Sequence, residues 1–259
     1  MKSSEIELVN RITVLPFNNM ADTYFSDDIP MTKSITSEEI TSLEVYKKRV
    51  KALEDVNLFI KRVMDICGAI VGIILLIPIT IFVAFANALS GDFGPLFYTH
   101  ERIGKNGKHF KMYKFRSMCM DSDEQLQKLL ATDEEARKEW EENQKLENDP
   151  RITKIGKFLR KTSIDEVPQF INVLKGEMSL VGPRAIIDEE VEKFGLLFDK
   201  CFSVKPGITG NWAANGRSNT TYDERVIMEA TYVDNFSVIT DVKLLFKTVI
   251  SVIKKEGAM

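Results

Sequence analysis

Two adjacent carboxylates, Asp165 and Glu166, lie in a stretch of the chain that is otherwise rich in cations. The cations of this stretch, residues 149–184, are Arg151, Lys154, Lys157, Arg160, Lys161, Lys175 and Arg184. Arginine and lysine bind phosphate oxygens, and a carboxylate beside them is able to hold Mg²⁺ or to attack phosphorus. These residue types and their spacing therefore indicate phosphate chemistry.

A helix cap explains the same residues without any catalysis. Ser163 and Glu166 match the capping box S-x-x-E, and the helix dipole favours Asp165 in a first turn. On these residues alone, the cap is the favoured interpretation. The two interpretations are compatible, because a helix N-terminus with Arg160 and Lys161 just ahead of it also binds phosphate.

Other chemistries have less support in the sequence. Neither GxxxxGK[ST] nor GxGxxG occurs, and the two histidines have no metal-binding spacing. The three cysteines are odd in number and far apart, which argues against a disulfide framework and favours a cytoplasmic globular part.

Asp121 and Asp123 form a D-x-D, a metal-binding pattern of some nucleotide-sugar enzymes. Acids are also expected at the start of a charged helix, and this simpler interpretation is favoured.

An uncharged stretch, residues 66–91, predicts that the chain associates with a membrane. As a straight helix it is long enough to cross a hydrocarbon layer of about 30 Å. Pro78 lies in its middle and leaves about twelve residues, or about 18 Å of helix, on each side. Basic residues flank both ends, so the positive-inside rule names no orientation. A kinked transmembrane helix and a re-entrant hairpin with both ends in the cytoplasm remain open on this evidence.

Four segments organise the chain. They are a tail at 1–35, an amphipathic helix at 36–60, the membrane segment at 61–91 and a cytoplasmic domain at 92–259. Thr36 and Glu39 form a capping box that predicts the start of the amphipathic helix. Gly68 and Gly72 form a GxxxG, which is more often a close-packing surface than a dimer contact.

The domain at 92–259 is predicted to mix strand and helix, which gives an α+β fold. Asn106-Gly107 predicts the turn of a small β-hairpin with strands at 95–99 and 108–115. Highly charged residues at 122–147 predict one solvated surface helix, and 226–253 predict a C-terminal helical stretch.

Several ordered motifs resemble those of one protein family. They are KRVMDI at 61–66, GPLFYTHERIGKNGKHFKMYKFRSM at 94–118, DPRITKIGKFLRKTSIDEVPQFINVLKGEMSLVGPR at 149–184 and KPGITGNWAANGR at 205–217. Together they look like the bacterial sugar transferases, and more narrowly like the monotopic phosphoglycosyl transferases. The resemblance covers about residues 61–255. It implies a re-entrant membrane helix broken at the proline and a mainly helical catalytic domain on the cytoplasmic face of the bacterial inner membrane.

The resemblance also implies roles for individual residues. Asp165 would be the nucleophile and a ligand of Mg²⁺, and Glu166 its catalytic partner. Lys114, Arg160 and Arg184 would bind the diphosphate and the phosphosugar. Arg217, in the loop that departs from the usual family form, is a further predicted substrate-binding residue.

The implied reaction transfers a sugar 1-phosphate from a UDP-sugar to polyprenyl phosphate through a covalent aspartyl intermediate, with release of UMP. The implied partners are these two substrates and one membrane leaflet, with no nucleic acid. The sequence does not decide between a monomer and a homodimer.

Two alternative functions stay open. One is a non-catalytic, lipid-binding or recruitment module at the membrane surface, and the other is a metal-dependent glycosyltransferase that uses Asp121 and Asp123.

Overall fold

The computed structural model describes residues 37–143, 146, 148–216 and 220–254 of the 259-residue chain. Within them, ten α-helices and four strands alternate with short 3₁₀ turns. The helices are α1 Ser37–Leu89, α2 Ser122–Thr132, α3 Glu134–Asn143, α4 Lys154–Lys161, α5 Gln169–Lys175, α6 Val191–Phe194, α7 Phe198–Cys201, α8 Asn211–Asn215, α9 Tyr222–Asp234 and α10 Val238–Lys254. The strands are β1 Phe97–Ile103, β2 His109–Phe115, β3 Ser179–Val181 and β4 Gly207–Thr209. The predicted mixture of helix and strand is confirmed.

The predicted hairpin is present as the antiparallel pair of β1 and β2. Its register places Phe97 opposite Phe115 and Ile103 opposite His109. The turn lies at Asn106 and Gly107, whose φ angles of 58° and 72° are in the left-handed region that Asn and Gly tolerate. The first strand begins at Phe97 and is longer than the sequence pattern indicated.

A second strand pair was not predicted. Strands β3 and β4 are parallel, with Ser179 opposite Gly207 and Val181 opposite Thr209. A Cβ atom on Gly182 would lie only 2.3 Å from the carbonyl oxygen of Lys205, so this glycine permits the close approach of the two segments. The Gly-Pro-Arg turn at 182–184 therefore has a fixed position directly after β3.

Two predicted helices are each divided into two. The charged stretch is α2 and α3, separated at Asp133, whose carboxylate accepts hydrogen bonds from the N–H groups of Glu135 and Ala136. The C-terminal stretch is α9 and α10, separated before Ser237, whose hydroxyl accepts from the N–H of Thr240. In both places a short polar side chain accepts hydrogen bonds from the free N–H groups at the start of the second helix. The hydrophobic periodicity of the sequence did not reveal these two helix starts.

Helix α1 runs without interruption through Pro78, and it packs against α5, β3 and α10. Its buried side carries Ala69, Leu76 and Val83, and the last two pack with Phe115 and Leu159. The stretch Lys51–Leu89 is long and apolar enough to cross a membrane, by length and composition only. Thr36, of the predicted capping box, and the tail at 1–35 lie outside the described residues.

The GxxxG of α1 is a packing surface within the chain. A Cβ atom on Gly72 would lie 2.2 Å from the ring of Phe170, and one on Gly68 would lie 2.5 Å from Leu180. Next to them, the buried carboxylate of Asp65 accepts from the hydroxyl of Ser179 and the N–H of Leu180. These contacts hold α1 against α5 and β3, the elements that flank the Asp165 region.

Candidate functional site

The segment that carries Asp165 and Glu166 connects α4 to α5. The hydroxyl of Thr153 caps α4 by accepting from the N–H of Gly156 at 2.9 Å. A Cβ atom on Gly156 would lie 1.9 Å from the carbonyl oxygen of Ser117, so α4 starts in direct contact with the chain that leaves the hairpin. This contact fixes the start of α4, the helix that leads into the Asp165 segment.

The capping box predicted for Ser163 and Glu166 is wrong. Ser163 precedes a three-residue 3₁₀ turn, Ile164–Glu166, and its hydroxyl makes no capping hydrogen bond. The side chain of Glu166 is instead 2.8 Å from the Nζ of Lys114 on β2. Ser163 itself has a φ of 55°, an unusual conformation for a residue other than glycine. Glu166 is therefore held by a contact with a distant residue, not by a local cap.

Asp165 is a buried carboxyl group with only 9% of its surface exposed. Burial, and next the neighbouring charge of Glu166, raise its pKa to about 6, while Lys114 and Arg160 act in the opposite direction. The carboxylate form still predominates at neutral pH. A carboxylate that is ionised, shielded from water and faced by cations is suited to nucleophilic attack.

The predicted cations are distributed around these acids. Lys114 pairs with Glu166, and Arg160 donates from Nε to the hydroxyl of Ser117 at 2.9 Å. Arg184 is exposed, and its guanidinium carbon lies 5.5 Å from the centre of the Trp212 ring. Arg217 lies outside the described residues, so its predicted role stays a prediction.

One pocket brings several of these residues together. Lys114, Glu166 and Arg184 all line it, as does Glu229. The remaining lining residues are Met112, Gln169, Met178, Gly182, Ala185, Gly207, Ile208, Gly210 and Ala213. Asp165 and Arg160 are not among the lining residues, and Asp165 adjoins the pocket through its chain neighbour Glu166. A cavity lined by the cations Lys114 and Arg184 beside Glu166 suits an anionic phosphate ester.

Glu229 was missed by the sequence reasoning. Its side chain is almost fully buried, with 1% exposed, and its Oε1 accepts from the backbone N–H of Arg184 at 3.0 Å. Burial raises its pKa to about 7. The signal in the sequence was its spacing, since Glu229 shares the buried face of α9 with Val226 and Ala230.

Arg225, one turn before Glu229, supports the Trp212 side of the site. It pairs with Glu190 at 3.0 Å, and its guanidinium carbon lies 5.0 Å from the Trp212 ring and 4.8 Å from the Tyr222 ring. Cation–π contacts of this kind hold a planar guanidinium against aromatic faces. Trp212 is therefore fixed near Arg184.

The D-x-D lies away from this pocket. Asp121 is exposed just before α2 and accepts from the side chain of Gln125 at 3.0 Å, and Asp123 is in the first turn of that helix. No group of three or more His, Cys, Asp or Glu side chains that would hold a metal ion occurs among the described residues. The positions of the two acids agree with the interpretation that they belong to a helix start.

Comparisons with known proteins agree with the motifs. A family model described as bacterial sugar transferase matches residues 56–255. The chain is 46% identical over 224 residues to the UDP-galactose-lipid carrier transferase of Erwinia amylovora, covering 86% of this chain and 46% of that protein. It is 42% identical over 247 residues to the undecaprenyl-phosphate galactose phosphotransferase of Salmonella typhimurium, covering 95% of this chain and 50% of that protein.

A further relative is similar in length to this chain. The exopolysaccharide production protein ExoY of Sinorhizobium fredii is 37% identical over 226 residues, covering 87% of this chain and 99% of that protein. The chain thus spans about half the length of the two galactose-named relatives and nearly all of this third one. The similarity includes the whole of the pocket described above, which lies within residues 112–229.

Proposed function

The chain belongs to the bacterial sugar transferase family, and we propose that it is a membrane-bound phosphoglycosyl transferase. The proposed reaction moves a sugar 1-phosphate from a UDP-sugar to polyprenyl (undecaprenyl) phosphate, releases UMP and initiates a surface glycan or exopolysaccharide. The observation that carries the proposal is the buried carboxyl group of Asp165 next to Glu166, Lys114 and Arg160. The names of two relatives support the substrate classes, since one contains UDP-galactose-lipid carrier and the other undecaprenyl phosphate.

In the first proposed step, Asp165 is the nucleophile. One of its carboxylate oxygens attacks the β-phosphorus of the UDP-sugar, a new oxygen–phosphorus bond forms, and UMP departs with the electrons of the bond that breaks. Lys114 and Arg184 line the pocket and offset the negative charge that would otherwise repel an anionic nucleophile. Burial of Asp165 excludes water, which would otherwise hydrolyse the aspartyl phosphosugar.

In the second proposed step, polyprenyl phosphate is the acceptor. Its phosphate oxygen attacks the same phosphorus, the bond to Asp165 breaks, and the carboxylate is regenerated as the polyprenyl-diphospho-sugar leaves. Glu166 is the proposed base for a protonated acceptor phosphate. Its pairing with Lys114 at 2.8 Å supports this role, because the lysine keeps the carboxylate oriented.

The chain has a donor set that suits Mg²⁺. Asp165 and Glu166 are adjacent carboxylates, and Mg²⁺ in phosphoryl-transfer sites is held by one or two carboxylates, with phosphate oxygens and water as the other ligands. A large protein cage is therefore not required. Asp165, with Glu166 beside it, would hold the ion, which would supply further neutralisation of the diphosphate charge.

The packing of α1 supports a monotopic arrangement, in which the apolar stretch enters one leaflet and both its ends stay in the cytoplasm. At one end Lys61 pairs with Asp241 at 2.5 Å, and just beyond the other end Asp92 pairs with Arg116 at 2.7 Å. Both partners belong to the same globular body. A straight crossing would place one of these contacts on the far side of the bilayer, so the re-entrant arrangement is favoured.

The exposed side of α1 supplies the proposed lipid contact. Large apolar side chains project from it along the whole uncharged stretch, and they include Ile70, Ile74, Ile77, Ile81 and Phe85. In water such a stripe would be costly, whereas in a leaflet it is stabilising. We propose that Pro78, which removes one helical hydrogen bond, is the point at which the helix bends in the membrane.

The sharpest test of the reaction is a burst of UMP in the absence of acceptor. Purified protein mixed with excess UDP-sugar and Mg²⁺, without polyprenyl phosphate, is expected to release about one UMP per active site and then stop. The reason is that the aspartyl intermediate has no acceptor. Rapid-quench chromatography measures the burst, and added polyprenyl phosphate should restore turnover. Release of UDP in place of UMP would contradict the proposal and favour the glycosyltransferase alternative.

A change at Lys114 tests the electrostatic part of the site. Lys114→Gln is expected to lower kcat/KM for the UDP-sugar by about 10²–10³-fold, because one charged donor for the transition state is lost. Lys111→Gln is the matched control, since Lys111 lies on the same strand with an exposed side chain. Steady-state UMP release measures both variants. Equal activity of the two variants would remove Lys114 from the proposed mechanism.

A further inference from the structure

The side chain of Glu229 has one oxygen in use and one oxygen without a partner. Oε1 accepts from the backbone N–H of Arg184, whereas Oε2 is buried and has no hydrogen-bond partner in the part of the chain that the structure describes. Leaving a buried acceptor unpaired costs about 1–3 kcal/mol, and more when the group is charged. Such an atom is completed by a water molecule, an ion or a ligand, and its position on a pocket wall favours a ligand.

The surroundings of Oε2 point to the same conclusion. Glu229 lines the pocket together with Lys114, Glu166 and Arg184. A Cβ atom on Gly210 would lie 3.7 Å from Oε2, and the charges of Arg225 and Arg184 act on this carboxyl group, although neither guanidinium hydrogen-bonds to Oε2. The terminal torsion of a glutamate is broad. Rotation about it moves both oxygens together, so a ligand that binds Oε2 is expected to alter the contact of Oε1 with the Arg184 N–H as well.

The chemistry of the pocket defines what Glu229 is able to bind. Lys114 and Arg184 suit the phosphate oxygens, whereas the ionised form of Glu229 would repel them. A neutral hydrogen-bond donor is the appropriate partner, and in a nucleotide sugar such donors are the sugar hydroxyls and the imide of the base. Because the sugar is bonded to the phosphate attacked by Asp165, and the base is at the far end of the diphosphate, the sugar is the part that belongs next to Glu166.

We propose that Glu229 accepts a hydrogen bond from one hydroxyl of the transferred sugar and thereby determines which UDP-sugar is used. The inference rests on the proposed phosphoglycosyl transfer and deepens it. The backbone bond to Arg184 joins the two functions, because the residue that senses the sugar also positions the Gly-Pro-Arg turn. A site built to bind a hydroxyl rejects the analogue that lacks it, since its own buried polar group is then left unpaired.

The experiment compares Glu229→Gln with the wild type on a panel of UDP-hexoses that each lack one sugar hydroxyl. Glutamine keeps a carbonyl oxygen that accepts from the Arg184 N–H, but it places an amide NH₂ donor where Oε2 accepts. For the complete donor, kcat/KM is expected to fall about 10–100-fold in the variant. For the one deoxy donor that lacks the recognised hydroxyl, wild type and variant should agree within about threefold. The inhibition constant of UMP should be unchanged.

Other outcomes of this experiment would contradict the proposed role of Glu229 or the proposed function. A uniform loss across the panel would mean that Glu229 only supports the structure, and a raised inhibition constant of UMP would assign it to the nucleoside. If Glu229→Gln fails to fold, Glu229→Asp and the wild-type panel decide, since a wild type indifferent to every hydroxyl excludes the inference. Wild-type protein that releases no UMP from any donor would overturn the proposed function itself.

Discussion

Replacing Asp165 by asparagine is expected to reduce UMP release from UDP-sugars by about a thousandfold or more. The amide has nearly the shape of the carboxylate but cannot form the aspartyl intermediate, and loss of a covalent nucleophile typically has effects of this size or larger. The fold should persist, because burial holds the pKa of Asp165 at about 6, well above its ordinary value of 3.8. The charged form is therefore disfavoured in the folded protein, and its removal costs no stability at neutral pH.

The matched control for this prediction is Asp121→Asn. Asp121 is also an aspartate, but it is exposed before α2, and it belongs to the D-x-D of the alternative glycosyltransferase. UMP release should be unaffected there. Unchanged release in Asp165→Asn would refute the nucleophile, and loss only in Asp121→Asn with UDP as product would establish the alternative. Salt-sensitive binding to anionic vesicles without any nucleotide product in the wild type would favour the lipid-binding module.

The parts of the structure that the sequence predicted well are those encoded by local chemistry. Asn106-Gly107 carries the positive φ angles of the hairpin turn in its own residue types, so the turn was readable without any tertiary information. The cation-rich segment around Asp165 was also readable. Lys114 and Arg184 line one pocket with Glu166, although they are far apart in the chain.

The parts that sequence reasoning missed depend on distant contacts. The local pattern at Ser163 favours a cap. In the structure the side chain of Glu166 pairs with Lys114, 52 residues away, and no capping hydrogen bond forms at Ser163. Strands β3 and β4 are three residues each, too short for a period of two to be recognised. The helical spacing of Glu229 with Val226 and Ala230 is visible in the sequence, but its hydrogen bond with the backbone N–H of Arg184, 45 residues away, is not.

Replacing Lys61 by methionine is expected to lower the free energy of unfolding by about 3–5 kcal/mol, the usual effect of removing one partner of a buried ion pair. Asp241 is 1% exposed and relies on Lys61 and on the hydroxyl of Tyr232, 2.8 Å from its Oδ1. Without the lysine, a buried carboxylate loses its counter-charge. Denaturation in detergent micelles, followed by near-ultraviolet circular dichroism, measures the change.

Lys61 also connects the membrane helix to the pocket, so the same variant should lose activity. Its Nζ donates to the carbonyl oxygen of Val181 at 2.8 Å, directly before the turn that presents Arg184. Lys51→Met is the matched control, because Lys51 is an exposed lysine of the same helix and should change stability by less than about 0.5 kcal/mol. Equal stability and activity in the two variants would mean that α1 anchors the protein without positioning its chemistry. A selective loss in Lys61→Met would show that the contact of Lys61 with Asp241 and Val181 supports both the fold and the geometry of the phosphate site.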